Sequence, residues 1–264
     1  MDKFEYKKSI GQNFMRDENI INKIVDSAGI DKDTLVIEIG PGAGSLSKKI
    51  IPLSGYSILY EIDTRLESVL DRELSGNDNY KIIFNDFLKQ DVYSDIKEYR
   101  YKKIYVVANL PYYITTPIIT KLMDEIYPDK IIIMIQEEVA DRLSAKHGNK
   151  EYGMISVLLG ARYDIKKLFR VNRNCFYPVP NVDSAVISLS KHNKYDIKDM
   201  KIFERLIKDS FQYKRKNLRN NLKKYNLDII NKILQKNNYC LNNRAEEIPV
   251  FVYVEIANNR FFVK

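Results

Sequence analysis

The sequence predicts an open, doubly wound α/β sheet followed by a small all-helical domain. Three observations predict this fold class. Strand-like apolar runs alternate with helical segments through about the first 190 residues, which is the pattern of parallel strands joined by crossover helices. Several runs are continuously apolar, as expected for strands buried on both faces. From about Asp196 onward only helical periodicity is found.

The predicted elements follow one another in a regular order. Strands are predicted over residues 35–39, 57–62, 81–84, 103–108 and 130–136, and helices over residues 20–28, 46–53 and 116–126. Two later apolar segments, residues 165–171 and 184–189, are expected to close the sheet edge as a hairpin. In the tail, helical spacing predicts helices around residues 203–211 and 229–234. We therefore predict two domains, over residues 1–194 and 195–264.

Positive charge is concentrated in the predicted helical domain. The chain has 264 residues and a formal net charge of +8, and residues 195–264 contain 15 Lys and Arg against 8 Asp and Glu. The first 194 residues are therefore nearly neutral. This asymmetry predicts a polyanion-binding appendage on a near-neutral catalytic body. A lysine-rich solvated surface is the alternative interpretation.

The small number of cysteines and histidines, and the lack of long apolar runs, argue against several classes of protein. The two cysteines lie far apart and the chain has only two histidines, so neither a disulfide framework nor a Cys/His metal site is expected. No apolar run reaches the ~18 residues of a membrane span, and the amino-terminal residues lack the apolar stretch of a signal peptide. We expect a cytoplasmic protein with no membrane partner and no metal. A monomer is expected because no apolar stripe is left unassigned.

A glycine-rich turn follows the first predicted strand. Gly40, Gly42 and Gly44 form a Gly-x-Gly-x-Gly pattern, and glycines at a strand–turn–helix junction let the backbone turn tightly and approach a ligand. This pattern fits NAD, FAD or S-adenosylmethionine. The NAD fingerprint G-x-G-x-x-G would need glycine at Ser45, which disfavours a dehydrogenase.

Acidic residues stand at the ends of the next two predicted strands. Glu61 is placed to accept hydrogen bonds from both ribose hydroxyls of a nucleotide-type cofactor, and Asp86 to accept one from its adenine amino group. Ligands of open α/β sheets lie outside the carboxyl ends of the strands. We therefore expect both carboxylates to converge on the glycine turn.

The most specific motif follows the fourth predicted strand and reads Asn109-Leu110-Pro111-Tyr112. A tetrapeptide of this type at this place is typical of methyltransferases that act on amino nitrogens of bases. An exocyclic adenine amine is a poor nucleophile because its lone pair is delocalised into the ring. The Asn109 side-chain oxygen and a carbonyl near Leu110 could accept hydrogen bonds from the two N–H groups of this amine. Pro111 would fix the backbone, and Tyr112 would stack on the base. The target adenine must be unpaired or flipped out.

With these motifs, the chain resembles the ribosomal RNA adenine dimethyltransferase family, specifically its small-subunit branch. The resemblance runs from about residue 7 to residue 258 and includes residues 8–14, 38–42, 109–118, 136–140, 152–153, 176–186, 215–222 and 244–247. It implies a Rossmann-like, S-adenosylmethionine-dependent catalytic domain over residues 1–194 and a helical RNA-binding domain over residues 195–264. The implied reaction is N6,N6-dimethylation of two adjacent adenosines in the 3′-terminal hairpin of small-subunit rRNA, within a pre-30S particle.

The resemblance also implies site residues. The cofactor-binding positions of the family match Asn13, Met15, Gly40, Glu61, Asp86 and Asn109. Family members usually have Leu where Met15 stands, which is a mild change for an apolar or backbone contact. Phe176 matches an aromatic residue expected to sandwich the flipped adenine opposite Tyr112. The expected catalytic set is Asn109, Leu110, Pro111, Tyr112 and Phe176.

Two other functions remain open from the sequence. The sister branch of the family methylates an adenine of large-subunit rRNA and confers macrolide resistance, but it usually reads Asn-Ile-Pro-Tyr, whereas this chain has Leu110. The second alternative is a binding-only assembly factor, against which the intact cofactor positions argue.

Overall fold

The main feature of the fold is a seven-stranded sheet. The computed structural model describes residues 14–259 and residue 262, and for Tyr112 the backbone without the side chain. The sheet contains β2 (Thr34–Ile39), β3 (Tyr56–Glu61), β4 (Tyr80–Phe84), β5 (Lys103–Asn109), β6 (Lys130–Gln136), β7 (Tyr163–Val171) and β9 (Ser184–Lys191). A separate two-stranded sheet pairs β1 (Phe14–Met15) with β8 (Phe176–Tyr177).

The strand order is β4-β3-β2-β5-β6-β9-β7. Neighbours from β4 to β6 run parallel, whereas β9 runs antiparallel to β6. The chain builds outward from β2 in one direction and from β5 in the other, so a topological switch point lies between these two strands. Ligands of doubly wound sheets bind at such a point, outside the carboxyl ends of the strands. The predicted α/β fold class is confirmed, with β9 and β7 closing the sheet at one side as expected.

Burial explains why the strands could be predicted. All six residues of β2 are buried, as are the five central residues of β6. These are the continuously apolar runs of the sequence, since a central strand is covered on both faces. The edge strand β7 has buried residues only at its two ends.

Helices α1 (Glu18–Ala28), α2 (Ser47–Ile50), α3 (Glu67–Glu73), α4 (Val92–Ile96), α5 (Thr115–Glu125) and α6 (Glu137–Ser144) follow the strands up to β6. The helix predicted over residues 46–53 was too long, because α2 ends at Ile50. Ile51 still has α-helical dihedral angles and its N–H donates to the Ser47 carbonyl, but Pro52 has no backbone N–H with which to make the next helical hydrogen bond. The helices predicted near α1 and α5 are confirmed within two residues at each end.

Contacts divide the chain into two compact units. Among the described residues, the first comprises residues 14–140 and 166–190, and the second comprises residues 141–165, 191–259 and 262. The second contains α7 (Met154–Gly160), α8 (Met200–Ser210), α9 (Leu218–Asn221), α10 (Leu227–Lys236) and α11 (Val250–Asn258). Residues 141–162 therefore group with the helical tail, whereas the predicted division at residue 194 placed them with the sheet. Residues 163–165 also fall in the second unit, although they begin strand β7 of the sheet. The assignment of catalysis and RNA binding to separate domains stays a prediction.

The second unit has its own core. Phe203, Leu206 and Ile207 of α8 pack with Leu234 of α10 and Val252 of α11, and each of these side chains is fully buried. This confirms the helical periodicity predicted for the tail. In the part of the chain that the structure describes, no helix has both the length and the apolar character needed to cross a membrane.

Candidate active site

A cleft opens at the carboxyl ends of β2, β3, β4 and β5, at the switch point of the sheet. Seven predicted residues that the structure describes line it together: Met15, Gly40, Glu61, Asp86, Asn109, Leu110 and Pro111. Asn13, the remaining predicted cofactor residue, lies outside the described residues. Residues separated by up to 96 positions in the sequence thus meet in one cleft, because parallel strands end at the same edge of the sheet.

The glycine turn forms the floor of this cleft. Gly40, Gly42 and Gly44 have φ angles of +72°, +58° and +81°, a conformation that residues with a Cβ adopt at a cost. The Gly40 N–H donates to the carbonyl of Tyr60 at 2.8 Å and holds the turn against β3. A Cβ added at Gly40 would meet no atom within 4 Å. Gly40 therefore exposes backbone to open space within the cleft, as close approach of a ligand requires.

Glu61 connects the end of β3 to the glycine turn. Its carboxyl group is buried and accepts hydrogen bonds from the N–H groups of Gly42 at 3.0 Å and Asp63 at 2.9 Å. Burial raises the pKa of this carboxyl group, and the backbone donors act in the opposite direction. A carboxylate offers about four acceptor positions. Glu61 thus fixes the turn and keeps acceptor capacity that suits a ribose diol.

Glu38 also lines the cleft, although the sequence suggested no role for it. It lies in β2, is buried, lines the cleft, and accepts a hydrogen bond from the Ser47 hydroxyl at 2.7 Å. Burial raises its pKa to about 8; the Ser47 hydrogen bond opposes this shift and the Glu61 charge adds to it. A polar residue within an otherwise apolar buried strand was the signal in the sequence.

Asp86 follows β4 and begins a short 3₁₀ turn. Its Oδ1 accepts a hydrogen bond from the Leu88 N–H at 3.0 Å, and its Oδ2 lies 3.9 Å from the Lys89 ammonium. The side chain of Asp86 is 29% exposed, so it is oriented by the turn yet accessible from the cleft. Asp86 thus lies at the strand end and in the cleft, and its role as an acceptor for the cofactor stays a prediction.

The Asn109 motif lines the same cleft as Glu61. Asn109 ends β5 in register with Met134 of β6, and the Leu110 N–H donates to the Met134 carbonyl at 3.1 Å. The Pro111 carbonyl accepts from the Ile114 N–H and from the Thr115 hydroxyl, each at 3.3 Å. These bonds give the motif a defined backbone at the start of α5. The side chain of Tyr112, the predicted stacking residue, lies outside the described part.

Phe176 is placed differently from the other predicted residues. It is only 3% exposed, pairs with Met15 across β1 and β8, and packs in the core cluster that contains Ile21 and Val186. It is not among the residues that line the cleft. The predicted adenine sandwich stays a prediction, and Phe176 has a packing role in addition.

The observed features fit a nucleotide-type cofactor that carries a ribose and an adenine. Positive φ angles leave the glycine backbone open to the cleft, and two acceptors end successive strands. Among the residues described, no group of three or more His, Cys, Asp or Glu side chains could hold a metal ion.

Comparison with known proteins gives one family. The family described as "Ribosomal RNA adenine dimethylase" matches residues 3–258. A protein of Geobacillus thermodenitrificans called "Ribosomal RNA small subunit methyltransferase A" is 45% identical over 83% of this chain and 76% of its own length. A protein of the same name from Bacillus licheniformis is 42% identical over 97% of this chain and 91% of its own length.

Two solved structures share the fold. A dimethyladenosine transferase from Plasmodium falciparum superposes with a TM-score of 0.76, at 23% identity, over 92% of this chain and 95% of its own. The 23S rRNA methyltransferase ErmE superposes with a TM-score of 0.72, at 24% identity, over 92% of this chain and 98% of its own. At these identities the likeness concerns the fold, which includes both the sheet and the helical tail.

Proposed function

The chain belongs to the ribosomal RNA adenine dimethylase family, and we propose that it dimethylates adenines of small-subunit rRNA with S-adenosylmethionine as methyl donor. The specific proposal is N6,N6-dimethylation of two adjacent adenosines in the 3′-terminal hairpin, on a pre-30S particle, by a cytoplasmic monomer. The relatives named as small-subunit methyltransferases support the choice of substrate. Leu110, where the large-subunit branch usually has Ile, supports it independently.

One observation carries the proposal: Asn109 lies in the same cleft as the glycine turn and Glu61. The ends of β2, β3 and β5 are neighbours in the sheet, so a group held at Asn109 lies beside a cofactor held at Gly40 and Glu61. Positioning of this kind is a large part of catalysis when two reactants must meet in line.

The described residues that would hold the cofactor are Met15, Gly40, Glu61, Asp86 and Asn109, and Asn13 is proposed in addition. When bound, S-adenosylmethionine supplies an electrophilic methyl group on its sulfonium. Glu61 would accept from the ribose hydroxyls with the lone pairs that Gly42 and Asp63 leave available. Asp86 would accept from the adenine amino group, since it lines the cleft and its Oδ1 is held by the Leu88 N–H.

The Asn109 motif would hold the target amine. The side-chain oxygen of Asn109 and the carbonyl of Leu110 would accept the two N–H groups of the adenine amine, which favours a pyramidal nitrogen with an available lone pair. No strong general base is required, because the methylated nitrogen becomes acidic and releases its proton readily. The rigid turn at Pro111 keeps the two acceptors in place.

The test is a methylation assay with tritiated S-adenosylmethionine. Small and large ribosomal subunits from a strain that lacks this methylation are incubated in parallel, and the labelled nucleoside is identified after digestion. We expect N6,N6-dimethyladenosine in small subunits only, lost in Asn109→Ala and retained in the control Asn19→Ala, which changes an exposed position on α1.

Other results would redirect the assignment. Label confined to large subunits would favour the large-subunit reaction. Binding to small subunits without label, in a protein that still binds the cofactor, would favour a binding-only assembly factor. Either result contradicts the proposed reaction.

A further inference from the structure

The loop between α8 and α9 in the second unit combines an exposed aromatic side chain with a run of cations. Residues 211–217 form this loop, and Tyr213 within it is 57% exposed. Lys214, Arg215 and Lys216 follow directly and are all exposed. An exposed tyrosine on its own carries no information, so its surroundings must decide whether it forms a binding surface.

The backbone of Tyr213 is held by a buried side chain. Asn221 is 6% exposed; its Nδ2 donates to the carbonyls of Ser210 at 2.7 Å and Tyr213 at 3.4 Å. Its Oδ1 accepts from the Tyr213 N–H at 3.3 Å. One amide group thus binds the loop at two residues, and the Lys216 N–H donates to the Tyr213 carbonyl at 2.9 Å to close a turn.

Both ends of the loop are anchored in the second unit. Phe211 stands with its ring centroid 6.4 Å from Tyr152 and 6.3 Å from Tyr253, in the helical core. At the other end, the Leu218 N–H donates to the Asn243 carbonyl at 2.9 Å. Tyr213 is therefore presented to solvent by a fixed backbone, which lowers the entropy cost of binding a partner through it.

The chain segment that contains Tyr213 carries charge of one sign. Residues 210–225 contain no Asp or Glu. The nearest acid in the sequence, Asp209, is bound by the Tyr225 hydroxyl and by the Lys224 ammonium, the latter at 2.9 Å. Asp209 is thus compensated locally by Lys224, and its charge does not offset Lys214, Arg215 and Lys216.

We infer that Tyr213 is a stacking platform for an unpaired RNA base, and that Lys214, Arg215 and Lys216 bind the adjoining phosphates. An exposed aromatic ring on a fixed backbone, beside cationic side chains, is an arrangement that binds single-stranded RNA, since every base has a face on which to stack. Asn221 is the positioning residue of this platform. The inference rests on the proposed function, because it takes RNA as the substrate of the chain.

The experiment measures RNA binding by the full chain, independently of methyl transfer. The two probes are a fluorescent 3′-terminal fragment of small-subunit rRNA with its unpaired loop and a fully paired duplex of equal length. Tyr213→Ala should weaken binding to the loop-containing fragment about tenfold and leave duplex binding unchanged. Tyr213→Phe should bind like the parent protein, and Tyr213→Leu, which keeps apolar area without a ring, should behave like Tyr213→Ala.

Salt dependence separates stacking from phosphate binding. Lys214→Gln should weaken binding to both RNAs and reduce the slope of log affinity against log salt by about 0.7 to 0.9. Tyr213→Ala should leave that slope unchanged. Asn221→Ala should weaken binding to the loop-containing fragment and should also leave the slope unchanged. Tyr93→Ala is the matched control, because Tyr93 is 62% exposed and lies on α4 of the first unit.

The inference is overturned if Tyr213→Ala binds both probes like the parent, if Tyr213→Leu retains full affinity, or if the parent binds neither probe. These results are distinguishable from failure of the proposed function. A protein that binds the loop through Tyr213 but methylates no ribosomal RNA would retain the platform and lose the proposed reaction.

Discussion

Glu61 and Gly42 are joined by a hydrogen bond from the Gly42 N–H to the Glu61 carboxylate, 3.0 Å long. This bond connects the end of β3 to the turn after β2, so that Glu61, the proposed acceptor for the cofactor, also sets the shape of the glycine turn. The other carboxylate oxygen of Glu61 accepts from the Asp63 N–H at 2.9 Å. We therefore expect a change at Glu61 to affect protein stability and cofactor binding together.

Glu61→Gln replaces one of these two acceptor oxygens with an N–H₂ donor. We expect a loss of roughly 1–3 kcal/mol in the free energy of unfolding, since one backbone N–H in a buried environment loses its acceptor. Affinity for S-adenosylmethionine should fall as well. Denaturant unfolding and calorimetric titration measure the two effects, and Glu67→Gln, at an exposed position of α3, is the control. Unchanged stability would show that these bonds contribute little.

The open space at Gly40 gives a test of the cofactor cleft. Gly40 and Gly76 have φ angles of +72° and +89°, and at both positions an added Cβ would meet no atom within 4 Å. Of these two glycines, Gly40 lines the cleft and Gly76 does not. Gly40→Ala and Gly76→Ala should therefore destabilise the protein by a similar amount, about 1–2 kcal/mol. Only Gly40→Ala should weaken S-adenosylmethionine binding, by roughly tenfold or more, because its methyl group occupies ligand space.

Comparing Gly40→Ala with Gly76→Ala removes backbone strain as an explanation for weaker binding of S-adenosylmethionine. If both variants bind S-adenosylmethionine like the parent protein in calorimetric titration, the cofactor does not approach Gly40. If both bind it weakly, the loss arises from general destabilisation and not from the cleft.

Buried Glu38 gives a pH-dependent prediction. Its pKa in the folded protein is about 8, above the ordinary value of 4.5, chiefly because burial disfavours the charged form. The folded state then binds more protons than the unfolded state between these values, so its contribution to stability is complete below pH 4.5 and is lost as pH rises through 8. Glu38→Gln, which resembles the protonated form, should not show this loss.

The measurement is denaturant unfolding of the cofactor-free protein between pH 5 and pH 8. Relative to Glu38→Gln, the parent protein should lose up to about 1.4 kcal/mol per pH unit over this interval. Glu98→Gln, at an exposed position, serves as the control and should run parallel to the parent. Parallel curves for Glu38→Gln and the parent would mean that Glu38 ionises normally in the fold.

Local patterns in the sequence were sufficient for most of the sheet and the cleft. Continuous apolar runs predicted β2 and β6 because both faces of these strands are covered. Glu61 and Asp86 could be predicted to meet in one cleft because parallel strands end at one edge, and their roles in binding the cofactor stay predictions. The predicted family and fold class are confirmed on this basis.

Non-local packing limited the remaining predictions. Helix α11 is buried on most sides, so its run of apolar residues has little helical periodicity to detect. Residues 141–162 group with the helical unit although they precede the sheet strands β7 and β9 in the sequence. The two-residue strand β8 depends on pairing with β1, about 160 residues earlier, and no local pattern predicts such a pairing.

That pairing determines what Phe176 does. Its side chain is 3% exposed and packs in the core beside β1, so Phe176→Ala should lower the free energy of unfolding by about 3–5 kcal/mol. Val179→Ala, three residues later and 52% exposed, should change it by no more than about 0.5 kcal/mol. Denaturant unfolding compares the two.

Phe176→Leu keeps an apolar core residue without the aromatic ring, so its methyl-transfer rate tests the predicted adenine sandwich separately. A rate equal to that of the parent would leave Phe176 a packing role alone, because leucine fills the core but offers no ring on which a base can stack.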